Sequence, residues 1–203
     1  FIEKKMNKSM MNIIKNCDIV IIPEDGEDLD NIKRIGPIVR KTNYSREELR
    51  KKFSFNKKTI LISVGGTNAG LFLIQKSITA ILKLNLDVEI ILVTGPSITK
   101  EFENVRNLGF VDNLHEVIYA SDLVISLAGK STIDEVNAYG TPGIFIPIKG
   151  HFEQEDNSKN EGFSFEDINR LEKLILEKLD EKRNKINTNG AELAAEIIKK
   201  FTK

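Results

Sequence analysis

The sequence predicts an α/β protein with an open, doubly wound (Rossmann-like) parallel sheet. Two apolar runs rich in β-branched residues, 59–64 and 88–93, show no alternation with polar residues, which is typical of strands buried on both faces of a parallel sheet. Each run ends at a glycine turn, and segments with apolar residues at helical spacing separate successive runs. This alternation predicts parallel strands joined by helices, with ligands bound beyond the carboxyl ends of the strands.

Composition and charge narrow the classes of function. The 203 residues, 40% of them hydrophobic, can bury a sizeable core as one large domain, or as one domain with a piece of another. Lys and Arg number 30, as do Asp and Glu, so no basic excess points to a nucleic acid as partner. One cysteine, Cys17, and two histidines argue against a disulfide framework and against a structural zinc site.

The sequence predicts neither a membrane span nor a signal peptide. No apolar run approaches the roughly 18 to 20 residues of a span, and the opening segment lacks a long apolar core. We therefore expect a cytoplasmic protein. Phe1 stands where an initiator methionine is expected, which indicates that the chain was cut from a longer one.

Residues 1–40 are predicted to be the end of a preceding unit and a linker. Apolar residues at helical spacing over 2–14 predict a helix, and the apolar run 17–22 predicts a strand. Gly36-Pro37 breaks any helix and marks a candidate hinge. A second unit then extends over residues 41–203.

The elements of the second unit follow from spacing and punctuation. Ser45 is placed to cap a short charged helix. The further expected elements, in order, are the strand 59–64, a helix over 71–82, the strand 88–93, a short helix over 97–104, a strand edge at 110–111, a helix over 114–119, a strand–turn–helix–strand unit over 123–147, a polar segment over 149–157, and amphipathic helices over 168–179 and 191–201.

The unit Leu123–Pro147 contains the most informative turn. Gly129 allows the backbone to approach a ligand closely, and Ser131 or Thr132 is expected to cap the following helix, so that unpaired amide groups face the turn. Such a helix start binds anions, most often phosphate. Glu135 is expected to project beside the anion, where a carboxylate can bind a diol. A nucleoside diphosphate carries both groups.

The turn Gly65–Gly70 fits neither of the well-known phosphate-binding fingerprints. The dinucleotide pattern needs glycine at Thr67, and the P-loop needs lysine at Leu71. The later stretch Gly129-Lys130-Ser131 resembles the end of a P-loop, but Val124 occupies the position of its first glycine. Two glycine turns that together clamp one diphosphate remain as the hypothesis, and glycines kept only for tight packing are the alternative.

An ordered series of residues resembles one family. The chain is similar to the C-terminal, donor-binding domain of GT-B glycosyltransferases, in particular those that resemble the peptidoglycan N-acetylglucosaminyltransferase (MurG-like). The matching residues run in family order from about Thr59 to Asn157 and comprise Gly65-Gly66-Thr67, Gly109-Phe110-Val111, Ser121 to Ser126, Ala128-Gly129-x-Ser131-Thr132-x-x-Glu135, Gly140-x-Pro142, Pro147 and Gln154-x-x-Asn157.

The resemblance implies a role for each matching position. Glu135 resembles the carboxylate that binds both ribose hydroxyls, and Phe110 and Val111 lie where the family faces the base. Gln154 and Asn157 correspond to contacts with the donor sugar. The residues implied in diphosphate binding are Gly65, Gly66, Thr67, Gly129, Lys130, Ser131 and Thr132.

The resemblance also implies an activity. It predicts a hexosyltransferase that uses a UDP-sugar for inverting transfer without a metal or other cofactor. An N-terminal acceptor domain or a partner subunit is expected to hold the acceptor and to supply the catalytic base, so no catalytic residue is assigned in this chain. Residues 1–40 are then a remnant of that acceptor domain with the linker, and residues 41–203 are the donor domain. Alone, the chain is expected to bind donor and to transfer no sugar.

Two alternatives remain open at this point. The chain could be a non-catalytic donor-binding subunit whose membrane partner carries the acceptor half, and a peripheral membrane association through that half is compatible with either form. It could also be a sugar-nucleotide 2-epimerase domain, which shares the fold. One departure from the family pattern bears on Gln154 and Asn157, because the segment after Asn157 is shorter than usual.

Overall fold

The computed structural model describes residues 2–66 and 68–201. Its chain divides into two compact units, one formed by Phe1–Val39 with Asn187–Lys203 and the other by Arg40–Ile186. The first unit contains helix α1 (Ile2–Lys15) and the parallel strands β1 (Val20–Ile22) and β2 (Ile32–Arg34). The origin of residues 1–40 in an acceptor domain stays a prediction.

The second unit is built on one five-stranded sheet in which every pair of neighbours is parallel. The spatial order of its strands is β5-β4-β3-β6-β7. This topology confirms the predicted open α/β sheet. The strands are β3 (Lys58–Ser63), β4 (Val88–Val93), β5 (Arg106–Gly109), β6 (Leu123–Leu127) and β7 (Gly143–Ile146).

Helices follow most of the strands of the second unit, as the apolar spacing predicts. The capping box at Ser45 is present, because its hydroxyl accepts from the Glu48 amide while the Glu48 carboxylate accepts from the Ser45 amide. The helices are α2 (Arg46–Phe53), α3 (Leu71–Lys83), α4 (Leu114–Ala120), α5 (Lys130–Tyr139), α6 (Phe152–Asn160) and α7 (Leu171–Leu179), with 3₁₀ turns at Asn68–Gly70 and Phe165–Arg170. The last helix, α8 (Gly190–Phe201), belongs to the first unit.

The core of the second unit surrounds its two central strands. Leu61, Ile62, Val124 and Ile125 on β3 and β6 are fully buried, which explains why these strands are apolar without alternation. The helices pack in two groups, α3 with α7 and α2 with α4 and α5. Among residues 2–66 and 68–201, no helix is both long and apolar enough to cross a membrane.

Two local expectations need correction, and one segment gains an element that the sequence did not specify. The segment 97–104 forms no helix: Ile98 is buried, Asn104 has a left-handed φ of 60°, and so short a segment gains too little from helix formation. Strand β5 ends at Gly109, whose φ is 65°, so Phe110 lies after the strand and is 69% exposed. The polar segment 149–157 contains the first part of α6, which His151 caps by accepting from the Gln154 amide.

Candidate functional site

The strand order of the sheet reverses between β3 and β6, which makes this position a topological switch point. From β3 the chain adds β4 and then β5 on one side, and it returns to place β6 on the other side. Adjacent strands whose connections leave in opposite directions form a crevice at their carboxyl ends. Ser63 pairs with Ser126 near that edge. The turns after β3 and β6, which contain the two predicted glycine motifs, therefore begin beside one another.

The glycines of these turns fall into two groups, those that border open space and those that are tightly packed. A Cβ at Gly65, Gly66 or Gly129 meets no atom within 4 Å, and Gly65 has a φ of 76°. A Cβ at Gly70, in contrast, lies 2.4 Å from Cβ of Val64. Tight packing thus accounts for Gly70, whereas the first three face open space. Thr67, also predicted to contact diphosphate, lies outside the described residues.

Gly95, after β4, joins the same edge and was not singled out from the sequence. Its amide donates to the Gly65 carbonyl at 2.9 Å, and a Cβ on it lies only 2.2 Å from Cα of Gly66. The turn after β4 and the turn after β3 are therefore in backbone contact. Gly95-Pro96 at the end of β4 was the available signal, but it indicates a strand end and gives no hint of a neighbour 30 positions earlier.

Helix α5 begins directly at the β6 turn, but without the predicted hydroxyl cap. Gly129 is the N-cap residue, it makes no side-chain cap hydrogen bond, and the helix starts at Lys130. Ser131 and Thr132 consequently lie inside the first turn. Because a glycine has no side chain to accept from the first amides of the helix, the start of α5 has no side-chain cap. This corrects the cap assignment and retains the positive end of the helix dipole.

The ammonium group of Lys130 is paired within its own helix. Its Nζ donates to Oδ1 of Asp134, four residues later, and the Lys130 side chain is 37% exposed. The Asp134 side chain is only 9% exposed, so this ion pair also balances a buried negative charge. The lysine therefore lies at the helix start with its charge held to one side of the turn.

Glu135 is a buried carboxylate on α5, only 6% exposed. Its Oε1 accepts a hydrogen bond from Nε of Arg40 at 2.9 Å. Arg40 was not assigned a role from the sequence, because 95 positions separate the partners and Arg40 reads as the end of the hinge segment. The contact balances the buried negative charge, which alone is costly to bury.

Arg40 also connects Glu135 to the segment predicted to face the base. Its Nη1 donates to the backbone carbonyl of Asp112 at 2.6 Å. Asp112 directly follows Val111 in the chain. A single guanidinium thus joins the helix that carries Glu135 to the loop that carries Phe110 and Val111, a contact that the sequence did not predict.

A small cavity of about 140 Å³ opens beside this loop. It lies between the carboxyl ends of β3, β4 and β5, and its lining is mostly apolar, with few polar atoms exposed. A site of this character suits a flat ring with a few polar edges. The residues that line it are Ser63, Gly65, Gly66, Val93, Thr94, Gly95, Pro96, Phe110, Val111 and Leu114.

Gln154 and Asn157 both lie on α6 and contact the loops around the crevice. Oε1 of Gln154 accepts from the Ile148 amide at 3.1 Å, and Nδ2 of Asn157 donates to the Ala128 carbonyl at 3.1 Å. Asn157 therefore connects α6 to the residue just before Gly129. In the described residues, no group of three or more His, Cys, Asp and Glu side chains is arranged to hold a metal ion.

His115, on α4, is a buried neighbour of the Arg40–Glu135 pair. It is 5% exposed, its ring stacks on that of Tyr139 at 6.3 Å, and its Nδ1 has no hydrogen-bond partner in the described part of the chain. Burial lowers the pKa of His115, and the charge of Arg40 lowers it further, against opposing contributions from Glu135 and Glu116. The imidazole is therefore mainly neutral in the folded protein near pH 7.

We expect His115→Phe to make the fold less sensitive to acid. The pKa of His115 is lowered from its ordinary 6.5 in the folded chain. As the pH decreases through that value, the unfolded chain therefore binds a proton more readily than the folded chain does, and the folded state loses stability. Thermal unfolding measured near pH 7.5 and near pH 5.5 should show a smaller drop in Tm for the variant than for the wild type. Equal drops would contradict the lowered pKa.

The comparisons with known proteins agree with this geometry. The sequence profile described as the glycosyltransferase family 28 C-terminal domain matches residues 59–203, which is more than half of the chain. The chain therefore belongs to glycosyltransferase family 28. The family assignment confirms the resemblance drawn from the ordered motifs, and it makes the chain part of a sugar transferase.

Two relatives show how much of a family 28 protein the chain represents. An uncharacterized glycosyltransferase of Methanopyrus kandleri is 26% identical over 221 residues, which cover 95% of this chain and 63% of the relative. The UDP-N-acetylglucosamine–N-acetylmuramyl-(pentapeptide) pyrophosphoryl-undecaprenol N-acetylglucosamine transferase of Carboxydothermus hydrogenoformans is 30% identical over 128 residues, 57% of this chain and 34% of the relative. The chain thus spans between a third and two thirds of the length of these relatives.

A solved structure supports the fold. The crystal structure described as the glycotransferase of kitacinnamycin superposes with a TM-score of 0.61 at 15% sequence identity, over 84% of this chain and 48% of that chain. The family 28 chain accordingly has the architecture of the C-terminal half of a GT-B fold, as the sequence predicted.

Proposed function

We propose that the chain is the donor-binding domain of an inverting, metal-independent hexosyltransferase and that it binds a UDP-sugar. One observation carries the proposal. The switch point between β3 and β6 brings together three features. These are the open glycine turns after the two strands, the start of α5 without a side-chain cap, and the buried carboxylate of Glu135. This combination offers an anion site and a diol site side by side.

The diphosphate is assigned to the two turns. When the bond between the sugar and the diphosphate breaks, negative charge builds on the leaving phosphate. Fixed amides at the start of α5 stabilise that charge because they already point toward it and need no rearrangement. Lys130, at the start of α5, is proposed to add a positive charge near the phosphate while it stays paired with Asp134.

The nucleoside is assigned to the region that Arg40 connects. The ribose hydroxyls donate to the Glu135 carboxylate, and the base occupies the cavity beside Phe110 and Val111. Gln154 and Asn157 are proposed to act on the donor sugar. Both side chains already bind backbone carbonyl or amide groups, so their role includes holding α6 against the turn as well as contacting a hydroxyl.

The transfer reaction itself is assigned to the whole protein. The acceptor and the catalytic base are proposed to come from an N-terminal domain or a partner subunit, so the chain alone binds donor without transferring sugar. The name of the Carboxydothermus relative supports the choice of a UDP-linked sugar. A cytoplasmic location and a peripheral membrane contact through the acceptor half stay predictions of the sequence.

The proposal is tested with a panel of nucleotides added to the purified chain. We expect calorimetry and thermal unfolding to show binding of UDP in preference to ADP and GDP, and binding of UDP itself in preference to uridine, because the diphosphate supplies charge-assisted hydrogen bonds. The chelator EDTA should leave the affinity unchanged. Absence of stabilisation by every nucleoside diphosphate would contradict the site, and loss of binding with EDTA would contradict metal independence.

A further inference from the structure

Tyr139 is an aromatic residue on α5 that the sequence did not single out. It follows Glu135 by four positions, so the two side chains lie one above the other on one face of the helix. Its hydroxyl donates to the backbone carbonyl of Arg40 at 2.8 Å. The same helix face therefore binds Arg40 twice, through the guanidinium at Glu135 and through the carbonyl at Tyr139.

These contacts leave Arg40 little freedom. Its carbonyl is held by Tyr139, its Nε by Glu135, and its Nη1 by the carbonyl of Asp112. The guanidinium nevertheless belongs to a side chain that is 53% exposed, and an exposed arginine normally samples many rotamers. One hydrogen bond thus holds the backbone of Arg40, and two hold its side chain.

We propose that Tyr139 is a positioning residue for the ribose site: it anchors the backbone of Arg40, and Arg40 in turn fixes the orientation of the Glu135 carboxylate. The inference rests on the proposed function, in which Glu135 binds the ribose hydroxyls. One carboxylate oxygen is engaged by Arg40, and the orientation of that bond determines where the second oxygen lies. A carboxylate held in this way can accept from two adjacent hydroxyls at once, whereas a freely rotating one loses entropy on binding.

The surroundings of Tyr139 keep its hydroxyl suited to this task. Its ring stacks on Tyr119 at 4.8 Å with an angle of 26° between the planes, and it also faces His115. Burial raises the pKa of Tyr139 to about 12, against a lowering contribution from a backbone hydrogen bond of Thr42. The hydroxyl is thus protonated and able to donate at neutral pH.

The proposal concerns recognition of the 2′-hydroxyl, so it is tested by comparing UDP with 2′-deoxy-UDP. We expect the wild type to prefer UDP by about tenfold or more, the loss of one hydrogen bond to a charged group. Tyr139→Phe keeps the ring and removes the hydroxyl. This variant should narrow the preference by about three- to tenfold, mainly through weaker binding of UDP.

A matched control is available in the same stack. Tyr119 also carries a hydroxyl, but that group accepts from Nζ of Lys185 at 2.6 Å and makes no bond to Arg40 among the described residues. Tyr119→Phe should therefore leave the ratio of the two affinities unchanged. Arg40→Gln is the second variant, because it alters the contact with the Glu135 carboxylate and leaves the tyrosine hydroxyl in place. It should reduce the preference for UDP over 2′-deoxy-UDP at least as much as Tyr139→Phe does.

The possible outcomes separate this inference from the proposed function. A wild type that binds neither nucleotide overturns both. A wild type that prefers UDP, together with a Tyr139→Phe variant that keeps the full preference or weakens both nucleotides equally, overturns the positioning role alone. If Tyr139→Phe does not fold, Arg40→Gln is the deciding variant. An unchanged preference for UDP over 2′-deoxy-UDP in Arg40→Gln would show that Arg40 does not orient Glu135, and the positioning role of Tyr139 would be overturned.

Discussion

Replacing Glu135 with alanine is expected to weaken UDP binding about ten- to hundredfold, which corresponds to about 1.5–3 kcal/mol for hydrogen bonds to a charged group. The carboxylate is 6% exposed and faces Arg40, so the substitution removes the acceptor of the ribose hydroxyls and also leaves the guanidinium without its buried partner. Isothermal titration calorimetry with UDP measures the change directly.

Glu135→Gln serves as the control for this prediction. The amide keeps the size of the side chain and one oxygen acceptor, but it removes the charge. We expect an affinity between those of the wild type and the alanine variant. Unfolding curves for all three proteins show whether the fold is retained. If the alanine variant is folded and binds UDP as the wild type does, Glu135 has no part in ribose binding.

Replacing Gly129 with valine is expected to reduce UDP affinity about hundredfold or more while the fold is retained. A Cβ at Gly129 meets no protein atom within 4 Å, and the backbone there has an extended conformation that valine adopts readily. We expect a loss of about 1 kcal/mol in stability from the poorer helix cap. The branched side chain, however, fills the space in front of the α5 amides and blocks more than one charge-assisted hydrogen bond to the diphosphate.

Two comparisons make the Gly129 prediction specific. Uridine, which has no phosphate, should bind the variant and the wild type alike. Gly70→Ala should show the opposite behaviour, because its Cβ lies 2.4 Å from Cβ of Val64 and the change therefore lowers Tm by crowding the core. Loss of uridine binding together with UDP binding in Gly129→Val would indicate a general distortion and contradict the diphosphate assignment.

Much of the fold could be predicted from the sequence, because the deciding features are local. Buried parallel strands need apolar residues on both faces, so β3, β4 and β6 were evident from composition alone. The capping box of α2 was equally local. The short helix predicted over 97–104 was wrong, because so brief a periodic segment does not stabilise a helix by itself and Asn104 has a left-handed backbone.

The candidate site was only partly predictable. Glycines after strands indicate turns, but the sequence does not say which of them face open space. The structure separates Gly66 and Gly129, which border open space, from Gly70, which is packed against Val64. It also replaces the predicted hydroxyl cap with Gly129, because the helix begins one residue before Ser131. The ligand roles of these residues stay predictions until binding is measured.

The sequence by itself determined most of the strand and helix pattern, the family resemblance and the two glycine turns proposed to bind the ligand, because each depends on residues close together in the chain or on an ordered set of motifs. Only the tertiary structure decided that Gly95 contacts Gly66, that Arg40 joins Glu135 to the Asp112 carbonyl, and that the Tyr139 hydroxyl donates to the Arg40 carbonyl. The physical reason is distance along the chain: Arg40 is separated from its partners by 72 to 99 positions, and no local pattern encodes a contact that exists only after the sheet has brought those segments together.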